Sequence, residues 1–238
     1  MRSSTRHQLK QDAFAEKTAE SISWAVENRS KLIAASIAAV AAIVIVVGGW
    51  TYISFRNRQA SQEIAAAITK YNAPVLPPGT PAPADTLSFS SEQERAKAAN
   101  GDFTRIANKY SITETGHLAR YFEGLTLRQM GDNAGAEKQL KEVANGHYEE
   151  IASLAKFALA SLYHETGRDP QAIALYKELM EHPTMSVSKS AAQLQLADLY
   201  RVSQPQEARK IYEQIQKETP ASPAAQQAAQ GLQELSKQ

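Results

Sequence analysis

Histidine and carboxylate side chains carry most of the reactive chemistry open to a chain with no cysteine, and their spacing decides what they can do. His7, His117, His147, His164 and His182 never fall three or four residues apart. That spacing would put two imidazoles on one helix face, so no metal site is assembled locally on a single helix. Glu149 and Glu150 are adjacent and point in different directions on a helix, which argues against a paired-carboxylate acid-base site. Without cysteine there is no thiolate nucleophile, thiolate zinc site or disulfide. The chain has no G-x-S-x-G turn, no phosphate-binding glycine loop and no H-E-x-x-H. The expectation is a protein that is not an enzyme and uses no cofactor, metal or small-molecule substrate. Lys+Arg number 26 against Asp+Glu 25, so there is no basic excess to make nucleic acid the main partner. What remains is recognition by surfaces, and surfaces are set by the elements beneath them.

The first of these elements is apolar. Between Lys31 and Arg56 runs LIAASIAAVAAIVIVVGGWTYISF, with no charged residue. As a helix it reaches roughly 36 Å, enough to cross a hydrocarbon core of about 30 Å with some tilt. Trp50 and Tyr52 suit the membrane interface. A cleaved signal peptide fits less well, because some thirty residues precede the run and no small-x-small cleavage pattern follows it closely. Arg2, Arg6, Lys10, Lys17, Arg29 and Lys31 before the span outnumber Arg56, Arg58 and Lys70 after it, favouring a cytoplasmic N-terminus. Residues 1–31 are expected as a cytoplasmic leader, with Leu9, Phe14, Ile22 and Val26 set among charges as a solvated arm or a docking helix. Residues 32–55 form the transmembrane helix and 56–71 a helical extension. Five prolines between Asn72 and Ala84 mark 72–90 as an extended linker, whose Val75, Leu76, Leu87 and Phe89 are apolar enough to occupy a groove on the domain itself.

Residues 91–238 repeat. Ala136, Ala172 and Ala208 stand 36 residues apart, and Leu140, Tyr176 and Tyr212 follow each by four. Upstream, Gly124, Ala160 and Ala197 are small, with Leu127, Tyr163 and Tyr200 three residues on. Two helices per repeat explain this, since small residues let the pair approach while large ones fill the space beside it. Gly131 and Gly167 end first helices in a left-handed conformation. Asp169 and Pro170 read as a cap and a first-turn proline, and Pro183 and Pro220 stop second helices. Three repeats are expected, at about 117–148, 153–188 and 190–222, between a lone helix ending near Tyr110 and a polar terminal helix. Glu123 stands where the second repeat has Leu159, and Ser203 replaces the turn glycine.

This pattern resembles the tetratricopeptide repeat, whose period is about 34 residues. The fold class is therefore all-α: one N-terminal transmembrane helix, then a tetratricopeptide repeat-like solenoid of antiparallel helix pairs. The concave side of such a stack is lined by first helices. In that register Tyr121 corresponds to Phe157, Leu125 to Ser161 and Asp198, and Arg128 to His164 and Arg201. The last set forms a cationic row that could meet an acidic or C-terminal client segment, with Tyr121 and Phe157 as apolar anchors. The same cations sit where a helix dipole favours positive charge, and the two aromatics serve packing equally well.

The layout also resembles a narrower group. A leader with WAVENRSKL, a span ending GGWTYISF, an alanine-rich helix and YSITETGHLARYFEGLTLRQMGDNAGAEKQL are together similar to the ancillary subunit of the bacterial SecYEG translocon, the YfgM-like family. The resemblance implies an inner-membrane protein with a periplasmic repeat domain. It also implies contact with translocon subunits, periplasmic chaperones and nascent clients. The other reading is a scaffold for a different envelope complex, for secretion or outer-membrane assembly.

Overall fold

The structure, a computed structural model, describes residues 24–76 and 86–237. The leader's first 23 residues and linker residues 77–85 lie outside the described residues. The chain divides into two compact units, Met1–Ser54 and Phe55–Gln238. In the first, helix α1 (Arg29–Tyr71) begins with the apolar run and is long and apolar enough to cross a membrane. Ile33, Ile37, Val40, Val44 and Val47 are exposed on it, as are Trp50 and Tyr52. A helix segment apolar on every face and covered by nothing among the described residues is suited to a lipid environment.

The second unit is helical. After the last part of α1 come α2 (Glu92–Lys109), α3 (Glu114–Gln129), α4 (Asn133–Ala144), α5 (Glu149–Glu165), α6 (Asp169–Glu181), α7 (Lys189–Ser203), α8 (Pro205–Glu218) and α9 (Pro223–Leu235). Each of α2 to α9 packs on the next, while α3 also touches α5 and α7 touches α9. Starts are set by side chains: Ser91, Thr113, Asp132, Ser188 and Ser222 each accept a hydrogen bond from the backbone N–H three residues on. These caps satisfy donors that a helix start would otherwise leave unpaired. Asp169 behaves differently from the sequence expectation. It is the first residue of α6, its N-cap is Arg168 with no side-chain bond, and its carboxylate is engaged by His164 instead.

First helices α3 and α5 stop as expected. Gly131 and Gly167 have φ of 84° and 73°, where a Cβ is strained. Asp132 N–H reaches Leu127 O and Gly131 N–H reaches Arg128 O; Arg168 to Tyr163 and Gly167 to His164 repeat the pattern. Both are Schellman motifs. Ala136, Ala172 and Ala208 are fully buried, and Leu140, Tyr176 and Tyr212 beside them are at most 2% exposed. Leu140 packs so closely on Gly124 that a Cβ there would lie 2.8 Å from it.

Residues 56–71 continue α1 as a helix and also pack on the domain, so the helix before the first repeat is not alone. Ala60, Ile64 and Ala67, one stripe of α1, share a core with Phe103, Ile106, Ala107, Tyr110 and Ala119. Tyr71, Phe103 and Phe122 stack within 5.0–6.1 Å of one another. Asn57 Oδ1 accepts from Thr115 N–H at 3.0 Å, and Gln129 donates to the Tyr71 hydroxyl at 2.9 Å. The end of α1 and α2 therefore make a further hairpin. The ends of the proline-rich segment meet, too: Val75 bridges Phe89, with Phe89 N–H to Pro74 O at 3.0 Å and Leu76 N–H to Phe89 O at 2.9 Å. The two ends of the segment are thus held side by side in a parallel bridge.

Glu63 ties that hairpin. Its carboxylate accepts from Lys109 Nζ at 2.6 Å, the Tyr110 hydroxyl at 2.7 Å and Arg105, and these donors, Lys109 first, hold its pKa down to about 2. A depressed folded pKa stabilises the fold above the ordinary carboxylate value and loses that contribution as pH falls through about 4.5 toward 2. Glu63→Gln should lower stability at pH 7 by about 1 kcal/mol, allowing for solvent screening, and in thermal melts the gap should narrow below about pH 4.5 and close only below about pH 2. Glycine substitutions should separate as well. A Cβ on Gly116 would stand 1.9 Å from Tyr110 O, so Gly116→Ala should cost about 3 kcal/mol, against about 1 kcal/mol of backbone strain for Gly131→Ala, by chemical denaturation.

Candidate protein-interaction surface

The residues expected to line a binding face come from first helices, and the structure commits each of them to its own chain. Tyr121 is half-buried on the core, its ring 5.3 Å from Phe122 and its phenol pKa pushed up by burial. Phe157 is half-buried, its ring centroid 5.7 Å from that of Tyr176 in an edge-to-face contact. Both are packing residues with one partly open side. Ser161 Oγ lies 3.1 Å from the Tyr176 hydroxyl, and Asp198 accepts from the Tyr212 hydroxyl. Burial and that carboxylate push the Tyr212 phenol far up.

The cationic row is a row of ion pairs. Arg128 Nη1 is 3.8 Å from Glu165 Oε1, His164 Nδ1 is 2.7 Å from Asp169 Oδ1, and Arg201 pairs with Glu234. Its charges are answered from the next hairpin, from the first residue of α6 and from α9. In the free chain each cation of the row thus faces a carboxylate of its own chain across a solvent-exposed pair.

Other contacts escaped the sequence reading. Arg120 Nε meets Glu142 Oε1 at 3.2 Å, and Lys156 Nζ meets Glu178 Oε1 at 2.6 Å, each joining a first helix to its own second helix. Both pairs are 22 residues apart within the repeat, which is the signal that could have found them. The corresponding Gln193 is 1% exposed, and its Nε2 has no protein partner. Glu137 takes Lys141 at 2.6 Å, Arg168 at 2.7 Å and the Tyr163 hydroxyl at 3.3 Å, while the Arg168 guanidinium lies 4.4 Å over the Tyr163 ring. Lys141 foremost, then Arg168, holds the Glu137 carboxyl below its usual range despite partial desolvation.

Histidines distant in sequence do come together. His117 on α3 and His147 before α5 have ring centroids 5.6 Å apart, with Tyr148 against both. Burial, then His147, pushes the His117 pKa down. Among the described residues no group of three or more metal-ligating side chains is assembled.

The open space adjoins α5 on its second-helix side. Two neighbouring cavities, of about 400 and 280 Å³, share Ala144, Lys156 and Glu178. Their floor is Ala152, Lys156, Leu159 and Tyr163, one stripe of α5; α4 and α6 are the walls.

Helix hairpins joined by short turns, each burying its apolar side against the next, define a helical-repeat protein. A family model for the tetratricopeptide repeat-like domain matches residues 23–214, and the chain belongs to that family. No curated protein and no solved structure matches the chain. Domains of this family are protein-interaction modules, and this one follows a helix apolar enough to cross a membrane.

Arg201 and Glu234 are 36% and 55% exposed, so their pair is screened by solvent. A double-mutant cycle of Arg201→Ala and Glu234→Ala should return a coupling below about 1 kcal/mol in unfolding experiments.

Proposed function

We propose that this protein is a single-pass adaptor of the bacterial inner membrane, with its N-terminus in the cytoplasm and its repeats in the periplasm. Beside the SecYEG translocon it passes newly translocated proteins to periplasmic chaperones. The observation that carries the reading is the joining, in one chain, of a membrane-length apolar helix to a tetratricopeptide repeat-like domain. The leader, the span ending GGWTYISF and the first repeat support it by their similarity to the translocon's ancillary subunit. Trp50 and Tyr52 then sit at the membrane interface, Trp50 within reach of a neighbouring span. Catalysis plays no part in this role.

The test is photo-crosslinking in living cells from a probe amino acid at Trp50, which is 70% exposed, and another at exposed Gln171. Translocon subunits captured at position 50, with chaperones or nascent chains at 171, are expected. Capture at both positions of a secretion or outer-membrane assembly, with no translocon, would replace this role by that of a scaffold.

A further inference from the structure

The cavities beside α5 continue at its N-terminus into a third, of about 490 Å³, lined by Glu149, Glu150, Pro183, Met185 and Lys189. It shares Glu149 and Thr184 with the middle cavity, so one groove follows α5 from Glu149 to Tyr163. Fourteen helical residues make that about 21 Å, the reach of roughly six residues of extended chain.

The groove is chemically polarised. At the Tyr163 end its surface is mainly apolar, from Leu159, Tyr163, Ala174 and Leu175. The cations there are answered, Lys156 by Glu178 and Lys141 by Glu137. At the opposite mouth, Glu149 and Glu150 pair with no cation among the described residues. Glu150 is held by the backbone N–H groups of Met185 and Ser186, and the Ser186 side chain first, then these N–H groups, keeps its carboxyl below the usual range and so charged. Lys189 at that mouth is taken by Glu218. A fixed negative mouth about 15–20 Å from an apolar floor has a definite complement.

The geometry points to this groove as the binding site for an extended segment of another protein, with a lysine or arginine at the Glu149–Glu150 mouth and leucine-sized side chains, about five residues away, against Leu159 and Leu175. The site lies between second helices, away from Tyr121, Phe157 and the ion-pair row. It rests on the repeats being a protein-binding module and not on which membrane complex lies beside the anchor. Crosslinking at Trp50 can therefore fail while this site stands, and the reverse.

The experiment uses the full-length chain in lipid nanodiscs and a fluorescein-labelled Lys-Lys-Ser-Gly-Ser-Leu-Ala-Leu peptide, followed by fluorescence anisotropy. A second peptide carries glutamates in place of the lysines. The basic peptide should bind at least fivefold tighter, and the preference should shrink in 0.5 M salt. Ala174 is exposed, so Ala174→Glu should keep the helical circular dichroism spectrum while weakening the basic peptide at least tenfold; Glu149→Lys should erase the discrimination between peptides. Equal binding of both peptides to the unmodified chain would overturn the proposal without relying on any variant. So would self-association in sedimentation that Ala174→Glu abolishes, since the occupant would then be a second copy.

Discussion

A helix hairpin of this composition cannot bury its apolar side alone, and the constraint that lets it do so with its neighbours is side-chain volume at the crossing. Ala136, Ala172 and Ala208 are fully buried, and Leu140, Tyr176 and Tyr212 fill the adjoining space. Replace the small residue and the helices must separate; remove the large one and a void opens between hairpins. The other contacts follow from that approach. Only when the helices are this close do Arg120 and Glu142, or Lys156 and Glu178, come within reach of each other. Tyr212 shows both ends of the arrangement: its ring lies where a Cβ on Gly231 would go, and its hydroxyl reaches Asp198.

The repeat was legible because it uses residue types that have few alternatives. Alanine at a crossing, a large leucine or tyrosine four residues on and glycine at positive φ recur at fixed spacing, and each has one physical reason. The docking of 56–71 was less legible. Ala60, Ile64 and Ala67 show the spacing of a buried stripe, yet they directly follow an apolar run in which every face looks alike, so the change in what covers the helix leaves little trace. Proline content indicated an extended chain in 72–90, and Val75 and Phe89 are extended, but composition does not reveal that two extended ends pair. The partners of the cationic row were hidden for another reason. Sequence register places Arg128, His164 and Arg201 in line, while their carboxylates come from a neighbouring hairpin, the start of α6 and the last helix, which register within one face does not contain.

Glu123 departs from the repeat in a way the structure explains only in part. It replaces the apolar residue of the second repeat and is 6% exposed between α2 and α3. Thr104 donates to Oε1 at 3.1 Å, whereas Oε2 has no protein partner. Burial pushes its pKa up, favouring the neutral acid, whose buried charge would otherwise be costly. Asn100, which reaches Thr126 at 2.8 Å, makes the same interface polar. The contact between the first hairpin and the repeats is thus more selective than the leucine-lined contacts farther along, because polar groups must meet their partners to be buried at little cost.

The first hairpin draws one of its two helices from the chain that follows the apolar run, since Ala60, Ile64 and Ala67 cover Phe103 and Ile106. A protease that cut in the proline-rich loop would leave two pieces still clasped, and one that cut before Ala60 would release a domain with its cover in place. Recombination does not have that freedom. A gene fusion joined at residue 72 would bring the repeats to a new host without the helix that seals their open side, so a transferable folding unit begins near Phe55 and not at the end of the linker.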